Sequence, residues 1–274
     1  MSAFLQGHVL NTFIAPEYAS LLRLHQLDGF TQLWNHEVNW FEAPNHRRGG
    51  WSGVARMQLE DEGKAHGFFI KKQQNHGRWS LATFPKQEPT FRREFQHLQF
   101  LQGKQFAAPE VVFYGEQIVD GKMCAILMTK ELAQYQPLDV ITEATDFFAK
   151  PKQIKQQLLQ AVATTIRRLH GFHLMHRALY PKHIFVSNAE SAPSVALIDL
   201  EKARYSPFFW YNAYFDLAAL NRHSIGWSKT SRLYFFKQYC QISRLTWASK
   251  WFCRSIIARS KRQKAGAKKR IKST

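Results

Sequence analysis

The sequence predicts an α+β fold with two lobes, the first rich in strands and the second mainly helical. From Val38 to Glu131, short apolar or alternating runs are separated by Gly, Pro, Asn and charged clusters, a pattern typical of strands and turns. After Glu131, apolar residues recur at helical spacing. A strand-rich half followed by a helix-rich half favours two lobes with a cleft between them. We therefore divide the chain into an N-lobe (1–131), a C-lobe (132–258) and a basic tail (259–274).

The composition bounds the class of protein and its partners. The chain has 38 Lys and Arg residues against 20 Asp and Glu residues, and this net charge of +18 favours polyanions such as nucleotide phosphates, anionic lipid, lipopolysaccharide or nucleic acid. Three scattered cysteines, Cys124, Cys240 and Cys253, support neither a disulfide framework nor a zinc site. The N-terminus has no signal-peptide pattern, and no apolar run approaches the ~18–20 residues of a membrane span. We expect a cytoplasmic protein.

The N-lobe is predicted to contain five strands and one helix. The predicted strands are Val38–Ala43, Gly53–Leu59, Gly67–Ile70, Glu110–Tyr114 and Met123–Met128. The helix starts at Pro89-Thr90, and Phe91, Phe95, Leu98 and Leu101 lie on one face at spacings of four, three and three.

Three segments of the C-lobe are predicted to be helical. Ile154, Leu158, Val162, Ile166 and Leu169 form an apolar stripe that ends at Gly171. The other two segments are Asp216–Leu220 and Trp227–Cys240.

The basic tail contains eight cations and no acid, and it can be helical up to about Arg262. Such a tail either is merely solubilising or binds an anionic membrane surface, which attracts each cation by ~1 kcal/mol. Nucleic acid would attract it equally well.

The most informative motif lies between residues 169 and 201. His176, Arg177 and Leu179 match the protein-kinase catalytic-loop pattern His-Arg-Asp-Leu-x-x-x-Asn, while Ala178 replaces the catalytic Asp and His183 replaces the metal-binding Asn. An apolar strand, Val195–Ile198, follows and ends at Asp199.

Two acids after this loop have different predicted roles. An acid at the end of a buried strand next to a cleft is well placed to bind Mg²⁺ that bridges phosphates, and this is the role predicted for Asp199. The alternative is an Asp that caps a turn. Asp216, at a predicted helix start, is expected to accept backbone N–H bonds from the catalytic loop.

The N-lobe carries candidate phosphate-binding residues upstream of this motif. In the stretch from Arg47 to Val54, Gly49, Gly50 and Gly53 would let backbone amides approach phosphate oxygens, and Arg47 and Arg48 add positive charge. The alternative interpretation is an ordinary hairpin turn.

A lysine and a glutamate complete the N-lobe candidates. Lys71 follows Phe68-Phe69-Ile70 directly, as in the Val-Ala-Ile-Lys pattern, and neighbouring strand residues point to opposite faces, so only one of Lys71 and Lys72 faces the cleft. We choose Lys71 and predict that it pairs with Glu94 of the helix. The alternatives are two solvated edge lysines and a solvated helical glutamate.

The order of these elements resembles the protein-kinase-like fold across nearly the whole chain. The stretches Tyr180–Phe185 and Ile198–Arg204, together with the glycine loop, look like the bacterial lipopolysaccharide kinase (Kdo/WaaP) family, particularly its InaA-like branch. The presence of His183 in place of Asn fits that family.

The resemblance implies ATP-dependent phosphorylation of a sugar hydroxyl in the lipid A–core oligosaccharide, or in another anionic glycolipid, on the cytoplasmic face of the inner membrane. It implies a nucleotide site with Gly49, Gly50, Gly53, Lys71 and Glu94. The candidate catalytic residues are Lys182, His183 and His176; His176 could accept a proton, but a histidine before Arg in this loop more often has a packing role. Asp199 and His183 would bind Mg²⁺, with Mn²⁺ as the alternative because imidazole suits softer ions.

Ala178 departs from the pattern of active family members and opens an alternative. A general base typically contributes 10²–10⁴-fold, so its loss slows phosphoryl transfer without necessarily ending it. Lys182 could neutralise the transferring group, and we expect a slow enzyme. The alternative is a nucleotide-binding pseudokinase or regulatory scaffold. An RNA-binding protein is disfavoured because no aromatic–basic recognition signature accompanies the tail.

Overall fold

The computed structural model describes residues 9–41, 43–47, 49–78, 88–144 and 147–272. The chain forms two compact units, Met1–Ala133 and Gln134–Thr274. Among the described residues, no helix combines the length and apolar character that a membrane span needs.

The first unit is built on a six-stranded antiparallel sheet with the strand order β1-β7-β8-β4-β3-β2. The strands of this unit are β1 (Val9–Ile14), β2 (Asn45–Arg47), β3 (Gly50–Asp61), β4 (Lys64–Gln74), the short pair β5 (Gly77–Arg78) and β6 (Glu88–Pro89), β7 (Val111–Val119) and β8 (Lys122–Lys130). Its helices are α1 (Ala19–Leu24), α2 (Phe30–Asn35) and α3 (Thr90–Gly103).

Successive side chains of β4 point to opposite faces of this sheet, and the two faces pack against different elements. Phe68 and Ile70 are fully buried and belong to the core that also contains Leu22 and Leu33 of α1 and α2. Lys71 points to the other face and reaches α3. The period of two therefore directs Lys71 to one face of the sheet, and Phe68, Ile70 and Lys72 to the other.

The second unit is mainly helical. Its helices are α4 (Leu138–Glu143), α5 (Lys152–Gly171), α6 (Phe209–His223), α7 (Lys229–Cys240) and α8 (Trp247–Lys272). Its short strands are β9 (Gln136–Pro137), β10 (Leu174–Met175), β11 (Ile184–Ser187), β12 (Ser194–Leu197) and β13 (Arg204–Tyr205). Helix α5 packs on α6 and α7, and its predicted apolar positions are buried from Leu158 to Leu169.

Most predicted elements are present, and the differences have physical reasons. The segment Val38–Ala43 is not a strand, since Trp40 makes only a single bridge to Ala55. The N-lobe was predicted to have one helix, but α1 and α2 precede the sheet's central strands. These helices have six residues each, too few to display a helical period.

The basic tail also differs from its prediction, because α8 continues to Lys272 instead of ending near Arg262. Ala, Lys and Arg are strong helix formers, and cations near a helix C-terminus interact favourably with the helix dipole.

Candidate functional site

The predicted glycine loop is the turn of the β2–β3 hairpin. Arg47 pairs with Gly50, so Arg48 and Gly49 connect the strands; Arg48 itself lies outside the described residues. Gly49 has φ +75°, the left-handed region that favours glycine, and a Cβ at Gly50 would lie 2.4 Å from the backbone oxygen of Gln74. Gly49 is therefore needed for the turn, and Gly50 for the close approach of the end of β4.

Gly53, which was predicted to bind phosphate, has a packing contact in the structure. It is buried on β3, and a Cβ there would lie 2.7 Å from the indole ring of Trp40. Glycine at this position allows Trp40 to lie directly on the strand.

The predicted ion pair between Lys71 and Glu94 is present. The Lys71 ammonium donates to Glu94 Oε1 at 2.6 Å and to Oε2 at 2.8 Å, which joins β4 to α3. The Glu94 side chain is only 4% exposed and that of Lys71 is 19% exposed. An ammonium held in this way has one fixed position from which to meet a phosphate oxygen.

Helix α3 is held on the sheet by a second charged cluster that the sequence analysis missed. Arg92 binds the fully buried Glu116 of β7 through Nε and Nη2, and the Tyr114 hydroxyl donates to the same carboxylate. Burial and this carboxylate raise the pKa of the Tyr114 hydroxyl, so the phenol stays protonated. The cluster fixes Glu94 indirectly, since Arg92 lies on the same helix two residues earlier. The sequence feature that could have indicated this cluster is Glu116, an acid inside the mostly apolar strand β7.

Lys72 is neither solvated nor at a sheet edge, so the alternative of two edge lysines is wrong. It is 3% exposed and donates to the backbone oxygens of Trp34 at 3.0 Å and His36 at 2.7 Å. These oxygens belong to the C-terminal end of α2, where carbonyls lack intrahelical partners. Burial lowers the pKa of the Lys72 ammonium to about 8.

In the second unit, His183 and Asp199 lie together. His183 Nε2 is 3.4 Å from Asp199 Oδ2, and His183 Nδ1 donates to the backbone oxygen of Ala178 at 2.8 Å. A carbonyl can only accept, so Nδ1 carries the proton and Nε2 presents its lone pair in the neutral ring. Burial lowers the pKa of His183, which favours that neutral form.

Two acceptors that face each other at this distance suit a cation between them. Asp199 has φ +58°, a left-handed conformation, and its side chain is 31% exposed. No group of three or more potential ligands occurs among the described residues. This pair fits an ion that takes most of its ligands from phosphates, as Mg²⁺ does. The oxygen donor suits Mg²⁺, and the imidazole suits Mn²⁺ better.

Asp216 organises the catalytic loop, as predicted, although it lies in the middle of α6 and not at a helix start. Its Oδ2 accepts the backbone N–H of His176 at 2.7 Å, and its Oδ1 accepts that of Arg177 at 2.8 Å. His170, whose ring meets that of Tyr239 edge to face and bonds its hydroxyl, contacts Oδ2 through Nε2 at 3.1 Å. Because Arg177 has φ +65°, the loop needs these bonds to hold an unusual conformation.

The other catalytic candidates lie in different environments. His176 is fully buried, and its Nε2 bonds the backbone oxygen of Ile198 at 3.0 Å. Burial lowers its pKa, so a neutral His176 donates there. This burial agrees with the packing role that a histidine before Arg often has in this loop, and His176 positions the residue before Asp199. Lys182 is exposed, and its charge contributes to lowering the pKa of His183. Ala178 is fully buried.

Comparison with known proteins agrees with these features. The model of the lipopolysaccharide kinase (Kdo/WaaP) family matches residues 31–239. The chain is 30% identical to Protein InaA of Escherichia coli (strain K12) over 184 residues, which are 65% of this chain and 79% of InaA. It is 27% identical to the lipopolysaccharide core heptose(I) kinase WaaP of Pseudomonas aeruginosa over 237 residues, which are 80% of this chain and 86% of WaaP.

A solved structure, WaaP in complex with acyl carrier protein, superposes with a TM-score of 0.66 at 20% identity and covers 93% of this chain and 98% of that one. The likeness confirms the predicted two-lobed kinase-like fold class.

Proposed function

Because the chain belongs to the lipopolysaccharide kinase (Kdo/WaaP) family, we propose that it is an ATP-dependent phosphotransferase. Its acceptor would be a sugar hydroxyl of the lipid A–core oligosaccharide. The observation that carries the proposal is the pairing of a neutral His183 with Asp199 at the end of a buried strand. That pairing supports a site for a phosphate-bound divalent ion, which a kinase-like fold without nucleotide chemistry does not need.

Each residue has a distinct task under this proposal. Lys71, fixed by Glu94, neutralises charge on the nucleotide's phosphates, and the backbone of the Gly49–Gly50 turn covers them. Asp199 and His183 hold the divalent ion. When bound, that ion supplies charge neutralisation between phosphate oxygens.

The missing carboxylate at Ala178 limits the rate and not the binding. Phosphoryl transfer depends mainly on positioning and charge stabilisation, and a general base contributes typically 10²–10⁴-fold. Lys182 is exposed on the short 3₁₀ turn that also carries His183, and its ammonium is free to approach the transferring group. We therefore propose a slow enzyme with Lys182 as the residue that stabilises transferred charge.

Nucleotide binding and turnover test this proposal. ATP binding would be measured by calorimetry and ATP turnover by phosphate release, each with Mg²⁺ or Mn²⁺ and with lipid A–core acceptor. We expect the wild type to bind and turn over ATP, Asp199→Asn to lose both activities, and the exposed-acid control Glu143→Gln to keep them. A wild type that does not bind ATP with either metal would refute the proposal.

Ala178 favours a second candidate, a nucleotide-binding pseudokinase that acts as a regulatory scaffold. It retains the Lys71–Glu94 and His183–Asp199 pairs, but Ala178, in place of the catalytic Asp, cannot accept the substrate proton. Metal-dependent ATP binding without turnover for any acceptor would favour this candidate.

We also propose that the second unit approaches the anionic inner face of the bacterial inner membrane. Trp247 and Trp251, one turn apart on α8, are 82% and 63% exposed, and indole rings favour membrane interfaces. The same helix continues into the predicted basic tail, whose cations anionic lipid attracts.

A cavity of about 660 Å³ between α6, α7 and α8 suggests a further partner. Its apolar lining includes Leu217, Phe236 and Ile256, and five cations also line it. Such a cavity suits an apolar chain with an anionic head, and the related WaaP structure contains acyl carrier protein. We propose an acylated acyl carrier protein as a partner, to be tested by comparing co-elution of its acylated and unacylated forms.

A further inference from the structure

The first unit has a second cavity, of about 610 Å³, that the proposed function does not use. Its lining includes Trp34, Trp40, Trp51, His36, Glu37 and Lys72. Lys72 leaves β4 on the face opposite to the one from which Lys71 reaches α3, so the cavity lies on the other side of the sheet.

Three indole rings form an aromatic corner in this cavity. The centroid of the Trp51 ring is 5.7 Å from that of Trp34 and 5.7 Å from that of Trp40. Trp34 stacks on Phe30, and Trp40 lies against Gly53, so packing holds these rings in place. All three tryptophans keep part of their surface accessible.

Lys72 adds a charge that no acid neutralises. It donates to two neutral backbone oxygens, and no acidic side chain among the described residues forms an ion pair with it. An ammonium has three N–H donors, so two bonds leave one for a ligand. Its pKa is lowered by burial alone; Glu37 also lines the cavity, but no ion pair joins it to Lys72 among the described residues.

These groups define the chemistry of a ligand. A buried, unneutralised cation favours an anion, and indole rings favour a ring that can stack on them. The lining also includes oxygen and nitrogen atoms of Trp34 and of residues 36–39. It is therefore more polar than a site for an aromatic hydrocarbon needs to be. The volume lies within the range of about 300–1,000 Å³ that is typical of small-molecule sites.

We propose that this cavity binds a sugar ring that carries a carboxylate or phosphate. The anion accepts the third N–H of Lys72, and the ring lies against the indole corner. The site is independent of the nucleotide residues, and the inference does not rest on the proposed phosphotransferase activity.

The proposal requires that affinity fall as pH rises. An anion binds the protonated form of Lys72, and that form is lost as pH rises through the pKa of about 8. The other titratable groups that line the cavity are His36 and Glu37. The residues that pair with Lys72 across the sheet, Gly53 and Ile126, carry no charge.

Tryptophan fluorescence and calorimetry with defined probes test the proposal. Glucuronate, glucose 6-phosphate, glucose and inorganic phosphate would be titrated into the full chain at pH 7.0 and at about pH 9.5. We expect glucuronate and glucose 6-phosphate to bind at least about tenfold more tightly than glucose or phosphate. Glucuronate keeps its charge over this interval, and its affinity should fall by up to about 30-fold.

Single-residue variants test whether glucuronate binds in this cavity. Lys72→Met should abolish both the binding of glucuronate and its pH dependence, while Lys64→Met, an exposed lysine of the same strand, should leave both unchanged. Since Lys72 also bonds the end of α2, its variant could fail to fold. In that case the pH profile of glucuronate binding by the wild type decides the question.

Three results would overturn the proposal. These are no saturable glucuronate binding at millimolar concentration, equal binding of phosphate and glucose 6-phosphate, and an affinity that does not change between the two pH values. A free acidic sugar and the acidic sugars of a glycolipid present the same chemistry. Delipidated core oligosaccharide and intact lipopolysaccharide, added as competitors, distinguish the two sources.

Discussion

Replacement of Asp216 by asparagine should destabilise the second unit strongly. The carboxylate is fully buried and accepts three bonds, from the backbone N–H groups of His176 and Arg177 and from the His170 ring. Hydrogen bonds to a charged group contribute about 1.5–3 kcal/mol each. In Asp216→Asn one oxygen becomes an NH₂ group, which turns a donor toward a buried N–H and leaves it unsatisfied.

We estimate a loss of about 3–5 kcal/mol in the free energy of unfolding, from one lost charge-assisted bond and the buried N–H group left unpaired. At about 2–4 °C per kcal/mol, the melting temperature should fall by about 6–20 °C. Urea unfolding measures the first quantity and calorimetry the second. Glu143→Gln, an exposed change on α4, serves as the control and should stay within about 0.5 kcal/mol of the wild type.

Hydrogen exchange links this loss to the catalytic loop. From the wild type to Asp216→Asn, the exchange rates of the His176 and Arg177 amides should increase more than those of the α5 amides. The reason is that the variant changes the acceptor of these two amides directly. A loss of stability under 1 kcal/mol, or unchanged protection of both amides, would show that the carboxylate does not organise the loop.

Four further predictions concern the site and the tail. Lys71→Met should lower ATP affinity by at least about tenfold, and Lys64→Met should not; equal affinities by calorimetry would contradict the phosphate-binding role. Asp199→Asn should abolish the thermal stabilisation by metal and ATP with little change in the melting temperature of the free protein, and a surviving shift would exclude Asp199 as the main ligand. Deletion from Ala265 onward should weaken sedimentation with anionic vesicles by up to ~1 kcal/mol per lost cation and should spare ATP binding; undiminished sedimentation would exclude the tail. Ala178→Asp should raise phosphotransfer by up to about 10²–10⁴-fold while it lowers stability, since it buries a carboxylate, and a lower rate would indicate a site rebuilt around Lys182.

The contacts of α8 determine where the tail can be truncated without loss of packing. Arg259 lies over the rings of Tyr214 and Phe215, and the Ser260 hydroxyl donates to the backbone oxygen of Ala218. A deletion that starts at Arg259 would therefore damage packing in the second unit. Starting at Ala265 removes charge and keeps these contacts.

The sequence predicted the elements whose pattern is local. The period of two along β4 separated Lys71 from Ile70, and the stripe on α5 ended at Gly171 as predicted. Glu94 was found because a glycine turn, a strand lysine and a helical glutamate follow one another in a known order. The short helices α1 and α2 were missed, since six residues do not establish a helical period.

Long-range contacts explain what the sequence could not predict. The environment of Lys72 depends on the end of α2, 36 to 38 residues earlier in the chain. The packing of Trp40 on Gly53 is likewise a long-range contact that the sequence did not indicate. His176 matched a catalytic motif, but only the tertiary structure revealed that its ring is buried.

The transfer of phosphate from ATP to the lipid A–core oligosaccharide tests the central claim most directly. Purified full-length chain would be incubated with isotopically labelled ATP, divalent metal and core acceptor, and the label on the acceptor would be measured with Asp199→Asn as the control. We predict slow, metal-dependent labelling of the oligosaccharide by the wild type and none by the variant. An acceptor that stays unlabelled while the wild type binds ATP and metal would contradict a phosphotransferase and would favour the pseudokinase.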